Sequence, residues 1–516
     1  MKYADLVKTF SWDEVKNYFM HNGGLIHTFL RRSSDPAVIR FDKDWNRQVM
    51  SFYEVTEKAL KLAGWLRDNG VKPGDVVAVL ASKKAEQVVI LLATWIIGGV
   101  YQPLFTAFGP LAIEARIKDK KPSVMFIQED QYDKVKDLGI KLVSFPGKAG
   151  NATSFDEALS SEPIKDVREP NLNEMAILIY TSGTTGEPKG AMVNYRLLYN
   201  TYVYMKYGLG LEDNDTFWNG ADPGWAYGLY YGVMGPLMFG KPVVFLDRPF
   251  SPEDTLKLLE DLGVTNFTFA PTAYRLIMGT VKDMGKYNLR VRKLSSAGEP
   301  LNPEVIRWFQ ERLGVPVKDH YGQSEVGMVV YNGWGYEAEL KPGSMGLPAP
   351  GYEVTVIDDA LAVKTTSEGF CFMGYINAPE RTKNAFKGEW YLTGDTARID
   401  EEGYVWFIGR QDDVVKVSGY RVGPFEIESV LIKHPAVLES AAVAFEDPVR
   451  GHVFKAFVVL KPGYKPSDEL AKELINFVRE NYSKHVHLHE VIFVDSLPKT
   501  ESGKIQRYKL RQAYSK

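Results

Sequence analysis

Tyr180-Thr181-Ser182-Gly183-Thr184-Thr185-Gly186-Glu187-Pro188-Lys189-Gly190 is the stretch on which the reading of this chain turns. It follows an apolar run, Met175 to Tyr180, of strand length, and a helix that Asn194 would cap is expected after it. Glycines at 183, 186 and 190 open backbone conformations closed to other residues, so amide groups can turn toward an anion. The hydroxyls of Thr181, Ser182, Thr184 and Thr185 and the charge of Lys189 add donors for phosphate oxygens. A Walker A loop is excluded, because Pro188 precedes the lysine and Gly190 follows it where Ser or Thr is required.

Outward from that loop, strand-length apolar runs alternate with helix-period segments. Val76 to Leu80, Val124 to Ile127 and Val264 to Phe269 read as strands. Lys84 to Ile97 and Pro252 to Leu262 read as helices, the second opened by its proline and stopped by Gly263. Such alternation predicts an α/β protein with mainly parallel sheets. The last hundred or so residues change texture: short strands at Ser440 to Phe445, Phe454 to Leu460 and Val491 to Val494 surround one helix from Ser467 to Tyr482. The expected organisation is a large N-terminal α/β domain, residues 1–411, and a small mobile α+β domain, residues 412–516.

Composition narrows the function. A formal charge of −3 over 516 residues carries no basic footprint for nucleic acid. The lone Cys371 lies in a strand-like apolar run, excludes an internal disulfide, and reads as a core thiol. The apolar stretch Val88 to Tyr101 is too short to span a bilayer and no secretory pattern opens the chain, so a cytoplasmic protein is expected. His485, His487 and His489 alternate along one strand face and are read as packing rather than as metal ligands.

The phosphate loop resembles that of the adenylate-forming superfamily, which includes AMP-forming acyl-CoA synthetases, and further motifs match in the family's order. Ser295-Ser296-Ala297-Gly298-Glu299-Pro300 is similar to the segment along the adenine, and Asp319-His320-Tyr321-Gly322-Gln323-Ser324-Glu325 to the one that holds adenine and α-phosphate. The resemblance gives Ser324 to the α-phosphate, Glu325 to Mg2+, and Asp395 (in Trp390-Tyr391-Leu392-Thr393-Gly394-Asp395) and Arg410 to the ribose. It also implies a hinge at Asp412, a second face with Lys416, Gly419 and Arg421, and a catalytic lysine, Lys504, in Leu497-Pro498-Lys499-Thr500-Glu501-Ser502-Gly503-Lys504. In this second face Gly419 lets pantetheine pass, Lys416 serves the thioester site and Arg421 the nucleotide. Asn194 departs from the histidine that many relatives carry there.

The activity implied is formation of acyl-AMP from ATP and a carboxylic acid, then transfer to coenzyme A. The acyl pocket is assigned to Trp225, Ala226, Tyr227, Ala297 and Gly322. Acetate-specific relatives carry tryptophan at the position matching Gly322, so an acid longer than acetate is expected, medium-chain or branched; each added buried methylene is worth about 0.8 kcal/mol, roughly fourfold. Partners are then the acid, ATP and CoA, with a homo-oligomer allowed. The alternatives are an adenylation enzyme that loads a carrier protein and an inactive nucleotide- or acyl-binding sensor. A serine hydrolase is disfavoured, since neither Ser182 nor Ser324 sits in a Gly-x-Ser-x-Gly elbow.

Overall fold

The structure, a computed structural model, describes residues 1–182, 188–417, 420–482, 486 and 488–515. The side chains of Ser182, Lys416 and Arg421 are not among those described, and Gly183, Thr184, Thr185, Gly186, Gly419, His485 and His487 lie outside the described residues.

Val76–Leu80 is buried at every position and forms the middle of an eight-stranded sheet. Its parallel neighbours are Val100–Leu104 and Val124–Gln128. A strand buried on both faces must be apolar throughout, and the run Val-Val-Ala-Val-Leu meets that need. One face is covered by the helix Glu86–Ile96, whose residues from Gln87 onward are all buried. At one edge the sheet turns antiparallel. Met175–Ser182 pairs with Pro188–Asn194, setting Thr181 opposite Lys189 and Tyr180 opposite Gly190. The segment after the phosphate loop is therefore a strand, and the helix begins only at Arg196. Asn194 lies one residue before the N-cap, Tyr195, and accepts from the Arg196 amide, the first of the helix, at 3.1 Å.

A second sheet, six strands, starts with four parallel strands, Phe217–Asn219, Asn266–Phe269, Lys293–Ala297 and Val317–Gln323. The helix Pro252–Leu262 ends as its sequence requires: Ser251 accepts from the Asp254 amide at 3.0 Å, and Gly263 takes a left-handed φ of +62° that a side chain would resist. An antiparallel sheet containing Trp390–Ile399 and Val405–Arg410 completes the large N-terminal domain. The smaller C-terminal domain packs the helices Pro424–Leu431 and Asp468–Asn481 on a sheet of Val437–Asp447, Gly451–Leu460 and Leu488–Phe493. Cys371 is fully buried, as its setting predicts, and burial pushes its thiol up. Among the described residues no helix is long and apolar enough to cross a membrane.

Candidate active site

The two parallel sheets send the C-terminal ends of their strands to one cleft of about 1020 Å³, the place where open α/β sheets bind ligands. Thr181, Lys189, Gly298, Glu299, Pro300, all of Asp319 to Glu325, Asp395, Arg410 and Asp412 line it from the N-terminal side, and Lys504 from the C-terminal domain. The residues matched by motif thus converge although they are spread over more than 300 positions.

Asp395 sits at the centre of a prebuilt network. Its carboxylate accepts from the Tyr321 hydroxyl at 2.5 Å, from Gln323 Nε2 at 3.1 Å and from Arg410 Nη1 at 2.9 Å. The Tyr391 hydroxyl donates to Gln323 Oε1 at 2.8 Å, fixing the amide so that its nitrogen faces Asp395. Asp395 raises the Arg410 guanidinium above its ordinary range against the opposing effect of burial. Gln323 therefore helps to orient the Asp395 carboxylate. Glu299 makes a second buried pair, accepting from Arg275 Nη2 at 2.9 Å. Burial alone would raise its carboxyl; Arg275 and Thr272 hold it low. Arg275 lacks a motif, and its only sequence signal is an arginine on the otherwise apolar face of the helix Pro271–Thr280.

The His320 side chain is tied into a buried hydrogen-bond chain. It is buried, and burial lowers its imidazole to about 3, so the ring is neutral. Its Nε2 lies 3.1 Å from the Asn332 carbonyl and its Nδ1 2.6 Å from the Tyr204 hydroxyl. The Tyr204, Tyr227 and Thr268 hydroxyls continue the chain at 2.7 and 2.6 Å. With Nε2–H donating to the Asn332 carbonyl, Tyr204 donates to Nδ1 and Tyr227 to Tyr204; the Thr268 hydroxyl lies within reach of both Tyr227 and the Ser295 carbonyl, the latter 3.1 Å away. Asp319, also buried, has its carboxyl pushed well up by burial and accepts weakly from Ser296 at 3.4 Å.

The acyl wall differs in part from expectation. Trp225, Ala226 and Gly322 line the cleft, with Phe105 and Phe108 opposite in sequence terms, whereas Tyr227 and Ala297 stand one layer behind. The Tyr227 hydroxyl is consumed by Tyr204 and Thr268, so it supplies no polar group to the pocket. A Cβ at Gly322 would meet the Gly327 carbonyl at 2.4 Å and Met328 Sδ at 2.5 Å. That glycine accommodates the neighbouring strand. The Trp225 indole packs on Gly298, where a Cβ would come within 2.7 Å of it.

Lys504 is carried on a tight turn. The Thr500 amide donates to the Lys504 carbonyl at 2.7 Å, the Lys504 amide to Thr500 Oγ1 at 3.1 Å, and the Gly503 amide to the Thr500 carbonyl at 2.9 Å. Gly503 takes φ +89°, which the turn needs and glycine permits. The Lys504 side chain reaches cleft water while protein surrounds it, and it acts electrostatically with Arg410, Asp395, Glu325 and Glu299. Removal from bulk water, and then Arg410, lower its ammonium from the ordinary lysine value. Lys189 is likewise lowered, by burial and then by Arg381.

Glu325 is buried at the cleft wall, with one oxygen taking the Tyr375 hydroxyl at 3.3 Å. A single carboxylate near Lys189 suits Mg2+, which prefers one or two carboxylates shared with nucleotide phosphates to an all-protein cage. No cluster of three or more ligating side chains occurs among the described residues.

Two family models match, the AMP-binding enzyme over residues 27–370 and the AMP-binding enzyme C-terminal domain over residues 426–504. The acetyl-coenzyme A synthetase of Bacillus subtilis (strain 168) is 37% identical, covering 92% of this chain and 87% of its own. The 4-hydroxybutyrate–CoA ligase 1 of Metallosphaera sedula is 34% identical over 98% of this chain and 91% of its own. The crystal structure of the Brucella canis acyl-CoA synthetase superposes with a TM-score of 0.75 at 38% identity, covering 99% and 98% of the two chains. The chain belongs to the AMP-binding, adenylate-forming enzymes and is an AMP-forming acid–CoA ligase, of a family that uses ATP, Mg2+ and CoA.

Proposed function

We propose that the acid is a medium-chain or branched fatty acid, longer than acetate, and that the residues above divide the work of two half-reactions. The observation that carries the division of work is Lys504 of the C-terminal domain directed into a cleft that already holds Asp395, Arg410 and Glu325, and the one that bears on the acid is the apolar wall of Phe105, Phe108, Trp225 and Ala226. A carboxylate is a poor electrophile; attack by one of its oxygens on the α-phosphorus of ATP forms a mixed anhydride and releases pyrophosphate. The obstacle is crowded negative charge, and fixed cations aimed at it lower the barrier.

Asp395 and Arg410 hold the ribose end, and Lys504 neutralises charge between carboxylate and α-phosphate. Lys189 and the loop hydroxyls at 181, 182, 184 and 185 receive the leaving pyrophosphate, and Glu325 would hold Mg2+, which would supply Lewis-acid charge when bound. The CoA thiol then attacks the acyl carbon and AMP leaves. For that step the C-terminal domain swings about Asp412, withdrawing Lys504 and presenting Lys416, Gly419 and Arg421. Apolar walls at Phe105, Phe108, Trp225 and Ala226 favour an alkyl chain.

The test is a panel of acids from acetate to dodecanoate, with branched, hydroxylated and aromatic members, assayed for AMP and acyl-CoA. Equal AMP and thioester with a maximum beyond acetate is expected, and Trp225→Ala moves that maximum to longer acids. A maximum at acetate overturns the substrate reading. Acid-dependent pyrophosphate without a thioester points to a carrier-protein acceptor, and no turnover with any acid to a sensor.

A further inference from the structure

The helix Pro303–Leu313 starts at Asn302, a residue type that ordinarily caps a helix by accepting from its first amides. Asn302 has the extended backbone of a cap, φ −70° and ψ 134°, yet its side chain makes no cap bond. Its Nδ2 instead donates to Ser429 Oγ at 2.9 Å, on the helix Pro424–Leu431 of the C-terminal domain. Its Oδ1 accepts from Arg275 Nη1 at 3.4 Å, and Arg275 Nη2 donates to Glu299 on the cleft wall. Asn302 and Arg275 are 4% and 8% exposed, which partly shields these bonds from bulk water, although both residues border the cleft and Ser429 is half-buried. The helix that carries Arg275 also meets the C-terminal domain at Gly279, where a Cβ would come within 2.5 Å of Leu438.

A polar path thus runs from the nucleotide motif, through Glu299, Arg275 and Asn302, to Ser429. We propose that Asn302 is a positioning residue that latches the C-terminal domain in the orientation presenting Lys504, at the expense of its own helix cap. The latch suits a domain that must leave again: a neutral hydrogen bond across an interface biases an equilibrium by a small factor without locking it. Its connection to Glu299 ties that bias to the state of the nucleotide site. The inference rests on the domain alternation proposed above.

The experiment compares Asn302→Ala, Ser429→Ala and the double variant in the two half-reactions. Acid-dependent ATP–pyrophosphate exchange without CoA reads adenylation; single-turnover conversion of synthetic acyl-AMP and CoA reads thioester formation. Each single variant should slow exchange roughly three- to tenfold and leave thioester formation unchanged or faster. The double variant should match Asn302→Ala, because Ser429→Ala removes only the interdomain bond, which Asn302→Ala already removes together with the Arg275 contact. Equal loss in both half-reactions, multiplicative effects, or no change overturns the latch.

A readout independent of turnover uses spin labels on Glu311→Cys and Lys472→Cys, both exposed positions in a chain whose native Cys371 is buried. With ATP the parent chain should give one dominant interdomain distance and the double variant a redistributed one; identical distributions overturn the latch. Wild-type chain that fails to exchange with any acid contradicts the proposed function, while the label distances still decide the latch.

Discussion

Asp395 and Lys504 put opposite charges into the same cleft, but they are held in contrasting ways. Asp395 is 5% exposed, lies within the strand Trp390–Ile399, and is gripped by Tyr321, Gln323 and Arg410. Lys504 stands on a turn whose hydrogen bonds are internal, and no described residue hydrogen-bonds its ammonium. The first arrangement makes a binding site that exists before ligand arrives. The second makes a reagent that can be delivered and withdrawn, because moving it breaks few bonds. Preorganisation is concentrated where the nucleotide must be recognised, and adaptability where two reactions share one space.

The contrast is broken most severely at Lys504. Lys504→Ala should slow acid-dependent ATP–pyrophosphate exchange by about 10²–10³-fold, the range for losing one group aimed at transition-state charge. Thioester formation from supplied acyl-AMP should stay within about twofold. At the rigid site Asp395→Asn keeps the shape but removes the charge facing Arg410. The KM for ATP should rise about ten- to a hundredfold, matching the loss of charge-assisted hydrogen bonds worth about 1.5–3 kcal/mol.

His320 tests how rigid the N-terminal side is. Its folded-state value of about 3 lies below the ordinary 6.5, so the unfolded chain binds the proton more readily and stability is lost as pH falls below 6.5. Between pH 7.5 and 5 this amounts to about 2 kcal/mol. Urea unfolding at the two pH values reads it, and His320→Gln should remove most of that difference. The smallest effect sharpens the mobile side. Because the Lys504 ammonium is lowered by burial and by Arg410, adenylation should decline on the alkaline side before a solvent-exposed lysine would titrate. Lys504→Arg should move that limb upward, whatever its effect on the rate.

Local order was legible where one residue type had one job. The helix Pro252–Leu262 is bounded by Ser251 and Gly263, and the strand Val76–Leu80 by its unbroken apolar run, so both were read to the residue. The helix start after the phosphate loop was read to within one residue, Asn194 accepting from the Arg196 amide beside the N-cap Tyr195, whereas the strand Pro188–Asn194 is made by pairing with Met175–Ser182 that the sequence does not display. The motif residues around Asp319 to Glu325 and Asp395 were legible as a set, and their meeting at one cleft follows from the strand ends. The chain from Thr268 through Tyr227 and Tyr204 to His320 was not. Its hydroxyls come from separate elements, and nothing in their spacing marks them as neighbours. The diverted side chain of Asn302 is invisible for the same reason: its sequence context is an ordinary helix start.

The most direct test of the acyl-adenylate route is a single turnover with acid labelled with ¹⁸O in both carboxylate oxygens, with ATP, Mg2+ and CoA, followed by mass spectrometry of AMP and pyrophosphate. Attack of a carboxylate oxygen on the α-phosphorus predicts one ¹⁸O in AMP and none in pyrophosphate. Label in pyrophosphate, or unlabelled AMP alongside acyl-CoA, would contradict it.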